Sequence, residues 1–132
     1  MGACEQPNSY APIYELDDPI AEKIRKIATR VYGAADVNLL PAALEKADRY
    51  AKDGLDTVPI CMAKTHLSLS HDPNLVNAPT DFVLPVRDLR SYTGAGWIVA
   101  LCGDMQTMPG LGVTPALQSV DIDENGRTVG LF

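Results

Sequence analysis

The chain has 132 residues, a length sufficient for one domain that buries a core without disulfides or metal. Its 17 acidic residues outnumber its 11 basic ones, and the formal charge of -6 argues against a protein that binds nucleic acid. The three cysteines form no CxxC pair, which is typical of a reducing compartment. No apolar stretch approaches the roughly 20 residues that cross a bilayer. We therefore expect a cytoplasmic protein that binds neither nucleic acid nor a membrane.

The first 16 residues mix tyrosine, cysteine, proline and polar residues without a clear period, and they are interpreted as an extended arm. Residues 17–132 are predicted to form a single α/β domain. An arm needs a surface to lie on. If its natural neighbour is an upstream domain, Tyr10, Ile13 and Tyr14 are expected to be partly exposed, and such an apolar patch favours self-association into a homo-oligomer.

Two helices are predicted in the first half of this domain. The segment DDPIAEKIRKIATRVYG has Asp18 as its expected N-cap, Pro19 at the first helical position and Gly33 as its terminator. Its apolar residues at helical spacing are Ile20, Ile24, Ile27 and Val31. The segment LPAALEKADRYAKDG predicts a second helix that ends at Gly54. Its thinner apolar stripe consists of Leu40, Leu44, Ala47 and Ala51.

The second half of the chain predicts strands. TVPICMA indicates a short strand buried on both faces, and GWIVALC indicates another apolar strand. DFVLPVRDLR predicts a strand in which Pro85 indicates an edge position or a bulge. SVDIDENGRTVGLF predicts a hairpin with Asn125 and Gly126 in its turn. The expected fold is therefore α/β, with helices packed on a small mixed β-sheet and a carboxyl-terminal β-hairpin.

Two short motifs resemble ligand sites but lack a required part. In GAGWIV, a dinucleotide fingerprint would need a third glycine where Val99 stands, and the glycines open a strand rather than a helix. Gly94 and Gly96 are therefore interpreted as a turn or bulge. In DIDENG, a calcium loop would need an acidic residue where Phe132 stands. This segment is interpreted as a polar hairpin turn.

A metal site and a phosphate loop are also not predicted. His66 and His71, with Cys61 and Asp72 nearby, do not have the spacing of a zinc site, and the two histidines are interpreted as solvent contacts or helix and turn caps. The residues before Lys64 do not form the GxxxxGK[ST] pattern of a phosphate loop.

Two segments that follow predicted strands are candidates for a ligand cleft. Lys64 comes directly after TVPICMA, and it either projects into a crevice or lies on the surface over Met62. The loop GDMQTMPGLG follows GWIVALC, on the side where parallel α/β sheets bind ligands, although its proline and glycine also suit a plain type II turn. The candidate cleft residues are Lys64, Thr65, Asp104, Thr107, Met108, Pro109 and Gly110.

Several long blocks resemble one known family in the right order. VPICMAKTHLSLSHDPNL, VRDLRSYTGAGWIVALCGDMQTMPGL and VDIDENGRTVGLF closely resemble the carboxyl-terminal end of formate-tetrahydrofolate ligase. The resemblance extends back through PIAEKIRKIATRVYGAADV and EQPNSYAPIYELDDPI, so it covers essentially the whole chain. The resemblance implies an ATP-dependent ligase of one-carbon metabolism. In this family, formate is phosphorylated to formyl phosphate, and an amine of tetrahydrofolate attacks it to give 10-formyltetrahydrofolate.

The chain departs from this family in its extent. Family members are several times longer, and they bind ATP and magnesium through a phosphate loop that lies upstream of anything present here. The chain therefore resembles the last domain alone, as an isolated domain, a subunit of a split enzyme or a gene fragment. We expect it to be inactive by itself and to need a partner domain or subunit that carries the phosphate loop. The competing hypotheses are a non-catalytic fragment that binds a partner chain and a small nucleotide-binding module.

The resemblance also gives the candidate residues expected roles. CMAKT and TMPGL match the family pattern and are expected to face the cleft shared with the missing nucleotide domain. Lys64 is expected to offset negative charge on phosphate or on the glutamate tail of folate, and Asp104 to orient Thr107 or a cation. The chain differs from the usual pattern at Gly112, where the family has proline, and at Cys102, where it has a small residue.

Overall fold

The structure is a computed structural model that describes residues 10–105 and 118–130. Within these ranges the chain forms a four-stranded sheet of order β1-β3-β4-β2, two helices, and a separate antiparallel pair, β5 and β6. The mixed sheet and the terminal strand pair confirm the predicted α/β fold. The elements are α1 (Ile20–Tyr32), β1 (Asp36–Leu39), α2 (Pro41–Lys52), β2 (Ile60–Ala63), β3 (Val83–Tyr92), β4 (Trp97–Cys102), β5 (Asp121–Ile122) and β6 (Thr128–Val129).

Helix α1 packs one apolar face on the sheet, and it begins one residue later than predicted. Ile20, Ile24 and Ile27 are buried as the spacing predicts, but Val31 is exposed. The prediction of Asp18 as N-cap is wrong, because Pro19 occupies that position. The Asp18 carboxylate instead accepts the Glu15 N–H and pairs with Lys26 at 2.6 Å. Gly33, with φ of 73°, ends the helix as expected.

Helix α2 uses a different face from the predicted one. Leu44 is exposed, whereas Ala43 and Tyr50 are buried. The Tyr50 hydroxyl accepts the N–H of Ser91 and donates to the carbonyl of Leu89, both in β3. A buried tyrosine needs such partners. These two bonds rotate the helix so that Tyr50, rather than Leu44, faces the sheet.

The sheet contains one strand that was not predicted, and it corrects the expected positions of two others. Strand β1, which pairs parallel to β3, was not predicted. Strand β2 lies at an edge, and Cys61 is exposed, so the prediction of burial on both faces is wrong. Strand β3 lies between β1 and β4, so Pro85 does not mark an edge. The strand does contain an irregularity, a register shift between Val86 and Asp88, but Pro85 itself pairs in register with Asn38.

The two glycine turns adopt the forms that the sequence indicates. The turn between β3 and β4 has Gly96 at φ of 79°, and the N–H groups of Ala95 and Gly96 donate to the Tyr92 carbonyl. In the turn between β5 and β6, Asp123 Oδ1 accepts the N–H groups of Asn125 and Arg127. The carboxylate therefore stabilises the turn itself, as expected for a polar hairpin.

The part of the arm that the structure describes lies beside β2. Tyr10 is 84% exposed and Ile13 39%, in line with the expected exposure. Tyr14 is partly buried, and its hydroxyl accepts the N–H of Ile60 at the edge of the sheet. Within the described ranges, no helix has the length and hydropathy needed to cross a membrane.

Candidate functional site

A cleft of about 500 Å³ opens at the carboxyl ends of strands β2 and β4. Strands β2 and β4 are parallel neighbours, so their carboxyl ends, and the loops that follow them, lie at the same edge. The loop after β2 supplies one wall and the loop after β4 supplies the other. The lining side chains include Thr65, His66, His71 and Asp72 from the first loop, and Cys102 and Asp104 from the end of β4 and its loop.

The structure brings two of the predicted site residues together and turns a third away. Thr65 and Asp104 both line the cleft. Lys64 is not among its lining residues, because its Nζ donates to the carbonyl oxygens of Thr65 and Ser68. The remaining candidates, Thr107, Met108, Pro109 and Gly110, lie outside the residues that the structure describes.

Lys64 stabilises the loop that follows β2. Its ammonium group lies 5.1 Å from the centroid of the Tyr32 ring, in addition to the two carbonyl bonds. Burial lowers the pKa of Lys64, because the charged form loses solvation. The ammonium group therefore binds backbone carbonyls and an aromatic ring of this chain, and these contacts stabilise the loop.

Two buried serines fix the course of the same loop. Ser68 and Ser70 are 5% and 0% exposed. The Ser68 Oγ accepts the Ser70 N–H at 2.9 Å and donates to the carbonyl of Leu75. The Ser70 Oγ accepts the Asp72 N–H at 3.1 Å. Since buried hydroxyls are costly without partners, this network favours a single loop conformation and so a fixed cleft wall.

The second wall approaches the first at Gly103. Its φ is +65°, and a Cβ placed there would lie 3.1 Å from the carbonyl oxygen and 3.2 Å from the Cβ of His71. Both the backbone conformation and the close approach require glycine. Beside this contact, the buried Nδ1 of His71 has no hydrogen-bond partner in the described part of the chain.

The described lining of the cleft does not fit a centre for phosphate and magnesium. It includes the carboxylates of Asp72 and Asp104 and contains neither lysine nor arginine. Asp72 Oδ1 is engaged with the backbone N–H and side-chain amide of Asn74, as in a turn cap. Across residues 10–105 and 118–130, no three His, Cys, Asp or Glu side chains are grouped as a metal site requires.

From the sequence, His66, His71 and Asp72 were predicted to belong to a polar loop and not to a ligand cleft. The turn cap in this loop is made by Asp72, whereas the prediction concerned the two histidines. Their position in the cleft depends on β2 lying directly beside β4, with 33 residues between the two strands. Local spacing does not determine which strands become neighbours, so the sequence carried no signal for this arrangement.

Comparisons with known proteins place the chain in a family. The profile of the family described as formate-tetrahydrofolate ligase matches residues 1–132. The formate-tetrahydrofolate ligase of Cutibacterium acnes is 50% identical over 132 residues, which are the whole of this chain and 23% of that protein. The ligase of Roseiflexus sp. is 50% identical over 131 residues, 99% of this chain and 23% of that protein. The human cytoplasmic C-1-tetrahydrofolate synthase is 49% identical over 131 residues, 98% of this chain and 14% of that protein.

The chain thus spans less than a quarter of the length of each of these relatives. The match nevertheless covers the sheet, both helices and both walls of the cleft. The chain belongs to the formate-tetrahydrofolate ligase family.

Proposed function

We propose that this chain contributes the cleft between the loops after β2 and β4 to the substrate site of an ATP-dependent formate-tetrahydrofolate ligase. The complete enzyme would convert formate, ATP and tetrahydrofolate into 10-formyltetrahydrofolate through formyl phosphate. The observation that carries the proposal is the cleft at the carboxyl ends of two parallel strands, lined by Thr65 and Asp104, in a chain of this family. Clefts at this edge are where ligands of α/β sheets usually bind.

In this proposal, the phosphates of ATP and the magnesium ion are held by the part of the ligase that lies outside this chain. The 132 residues contain no GxxxxGK[ST] pattern, and the described lining offers carboxylates rather than cations to a phosphate. The chain is therefore proposed to have no ligase activity alone. Thr65 and Asp104 instead offer a hydroxyl group and a carboxylate, which suit N–H and O–H groups of a substrate.

The proposed location of the complete ligase is the cytoplasm. The human relative carries the word cytoplasmic in its name, and cysteine usage without CxxC pairs is consistent with a reducing compartment.

The test is to complete the enzyme around this chain. A chimera is made in which the matched region of the Cutibacterium acnes ligase is replaced by this chain, and ATP-dependent formation of 10-formyltetrahydrofolate is measured. We expect activity from the chimera and none from the chain alone. An active isolated chain would contradict the proposed division of the site, and a folded but inactive chimera would contradict the proposed function.

Variants in the chimera test the two walls separately. Asp104→Ala is expected to lower kcat/KM at least about tenfold, since a carboxylate that binds substrate contributes more than 1.4 kcal/mol. Asp48→Ala, which removes a carboxylate from the exposed face of α2, is the matched control and should change nothing. Lys64→Ala addresses the role expected from the sequence. Because Lys64 holds the loop that forms one wall of the cleft, Lys64→Ala should lower the melting temperature, and an unchanged melting temperature would contradict this role.

A further inference from the structure

Residues 67–70 reverse the usual arrangement of apolar and polar side chains. Leu67 and Leu69 are 52% and 38% exposed, whereas Ser68 and Ser70 between and after them are 5% and 0% exposed. Residues 67–70 bend around the single β-bridge at Ser68, and in this conformation the serines face inward and the leucines outward. A single exposed leucine is ordinary. Exposed leucines beside buried serines indicate that the exposed side of the segment contacts another protein surface.

Hydrogen bonds hold the segment in this orientation. Ser68 forms a parallel bridge with Asn77, in which the Leu69 N–H donates to the Asn77 carbonyl at 2.8 Å and the Asn77 N–H donates to the Leu67 carbonyl at 3.3 Å. The Ser68 and Ser70 hydroxyls add the buried network described above. Rotating the segment would leave these buried groups without partners, so the leucines are held outward.

The bridge also assembles a wider apolar surface. Leu67 and Leu69 are both hydrogen-bonded to the Asn77 backbone, and Val76 and Ala78 are the chain neighbours of Asn77, so the four residues lie in one small region of the loop. Val76 is 59% exposed and Ala78 is exposed as well. We call these four residues, Leu67, Leu69, Val76 and Ala78, the outer face.

Charged residues are sparse around the outer face. Residues 65–80 include one charged side chain, Asp72, although charged residues make up 21% of the whole chain. The centre of a protein interface typically has fewer charged residues than the rest of the protein surface. The surroundings of the outer face therefore have the composition of a docking surface.

We propose that the outer face docks against the remainder of the ligase chain, the part that relatives carry outside the region matched here. This inference rests on the proposed function. The Cutibacterium acnes relative has 77% of its length outside the match, so a large partner surface exists in the intact protein. The outer face belongs to the same loop as Thr65 and His71, so a domain seated on it lies beside the cleft. A second copy of this chain is less suited, because it would bring the same charge of -6.

The experiment measures how fast a thiol on the outer face reacts, in the isolated chain and in the chimera. Leu67→Cys and Val76→Cys are made separately, and each is labelled with a maleimide and followed by peptide mass spectrometry, which separates the new thiol from Cys61. Leu44→Cys is the control, because Leu44 is 50% exposed on α2, far along the chain from the outer face. We expect Cys at 67 and 76 to react at least about tenfold more slowly in the chimera, and Cys at 44 to react equally in both.

Each result decides the proposal. Equal labelling of the outer face in the two proteins overturns it. Slow labelling in the isolated chain that becomes faster on dilution would mean that a second copy covers the face, and this also overturns it. Activity of the chimera is measured in parallel. A protected outer face in an inactive chimera supports docking and contradicts the proposed function. An active chimera whose outer face is freely labelled supports the proposed function and contradicts docking.

Discussion

Replacing Gly103 by alanine tests how the two walls of the cleft are joined. Gly103 has φ of +65°, and its missing Cβ leaves room for the backbone of His71, which a new Cβ would approach to 3.1 Å. Gly96 is a matched control, because its φ is +79° and a Cβ there meets nothing within 4 Å. Gly96→Ala therefore adds only the conformational cost of a positive φ. Gly103→Ala adds this cost and also the steric clash of the new Cβ with His71.

The expected magnitudes follow from these two terms. A non-glycine residue in the left-handed region costs about 1–2 kcal/mol. Forcing an extra methyl group into a packed contact costs about 1–3 kcal/mol more. Gly96→Ala should lower the free energy of unfolding by the first amount, and Gly103→Ala by roughly 2–5 kcal/mol, since both terms apply.

The assay is urea unfolding of both variants and the wild type, together with the imidazole proton resonances of the two histidines. Gly103→Ala should shift the resonances of His71 and leave those of His66 less affected, because the new methyl group displaces the His71 backbone. Gly96→Ala should shift neither. If the two variants lose equal stability and the His71 resonances stay in place, the walls are not in the contact that the structure describes.

Three further predictions concern buried polar groups. Burial raises the pKa of Cys102 from 9.0 to about 12, so the unfolded chain loses this proton first as the pH rises. The wild type should therefore lose about 1.4 kcal/mol per pH unit above pH 9 relative to Cys102→Ala, as measured by urea unfolding at pH 8 and 10.5; a constant difference contradicts this. Lys23 is fully buried and donates to the carbonyls of Asp56 and Val58, so Lys23→Met should lower the free energy of unfolding by about 1–3 kcal/mol, and a variant as stable as the wild type would be contrary evidence. Tyr14→Phe should speed hydrogen exchange at the Ile60 N–H, whereas an unchanged rate would mean that the bond to Tyr14 does not protect it.

The sequence predicted the elements whose pattern is local. The isoleucines of α1 repeat at helical spacing over 13 residues, and Gly33 marks the end because only glycine takes a positive φ there at little cost. Strand β4 is a short apolar run, and its burial follows from that composition. Strand β1 was missed because its alternation, with Val37 and Leu39 on one side, extends over only four residues, and its pairing with β3 involves residues 47 positions away.

The orientation of α2 and the lining of the cleft depended on contacts that the sequence does not encode locally. A stripe through Leu40 and Leu44 is as regular as the one that includes Ala43 and Tyr50, and the hydroxyl of Tyr50 on the β3 backbone decides between them. The cleft required the parallel pairing of β2 with β4. Lys64 follows a strand as predicted, but the carbonyls that its ammonium group binds come from the loop that it precedes.

The reversed segment at residues 67–70 connects these observations with the extent of the chain. In the sequence it is part of a polar loop, and alternation alone would place Leu67 and Leu69 inside any strand formed there. The structure instead buries Ser68 and Ser70, whose hydroxyl groups are paired within the loop. Burying a leucine fully contributes about 1.5–3 kcal/mol. In the proposed docking, this gain comes from a complementary surface in the part of the ligase outside this chain, and slower labelling of Cys at position 67 in the chimera reports that the outer face is covered.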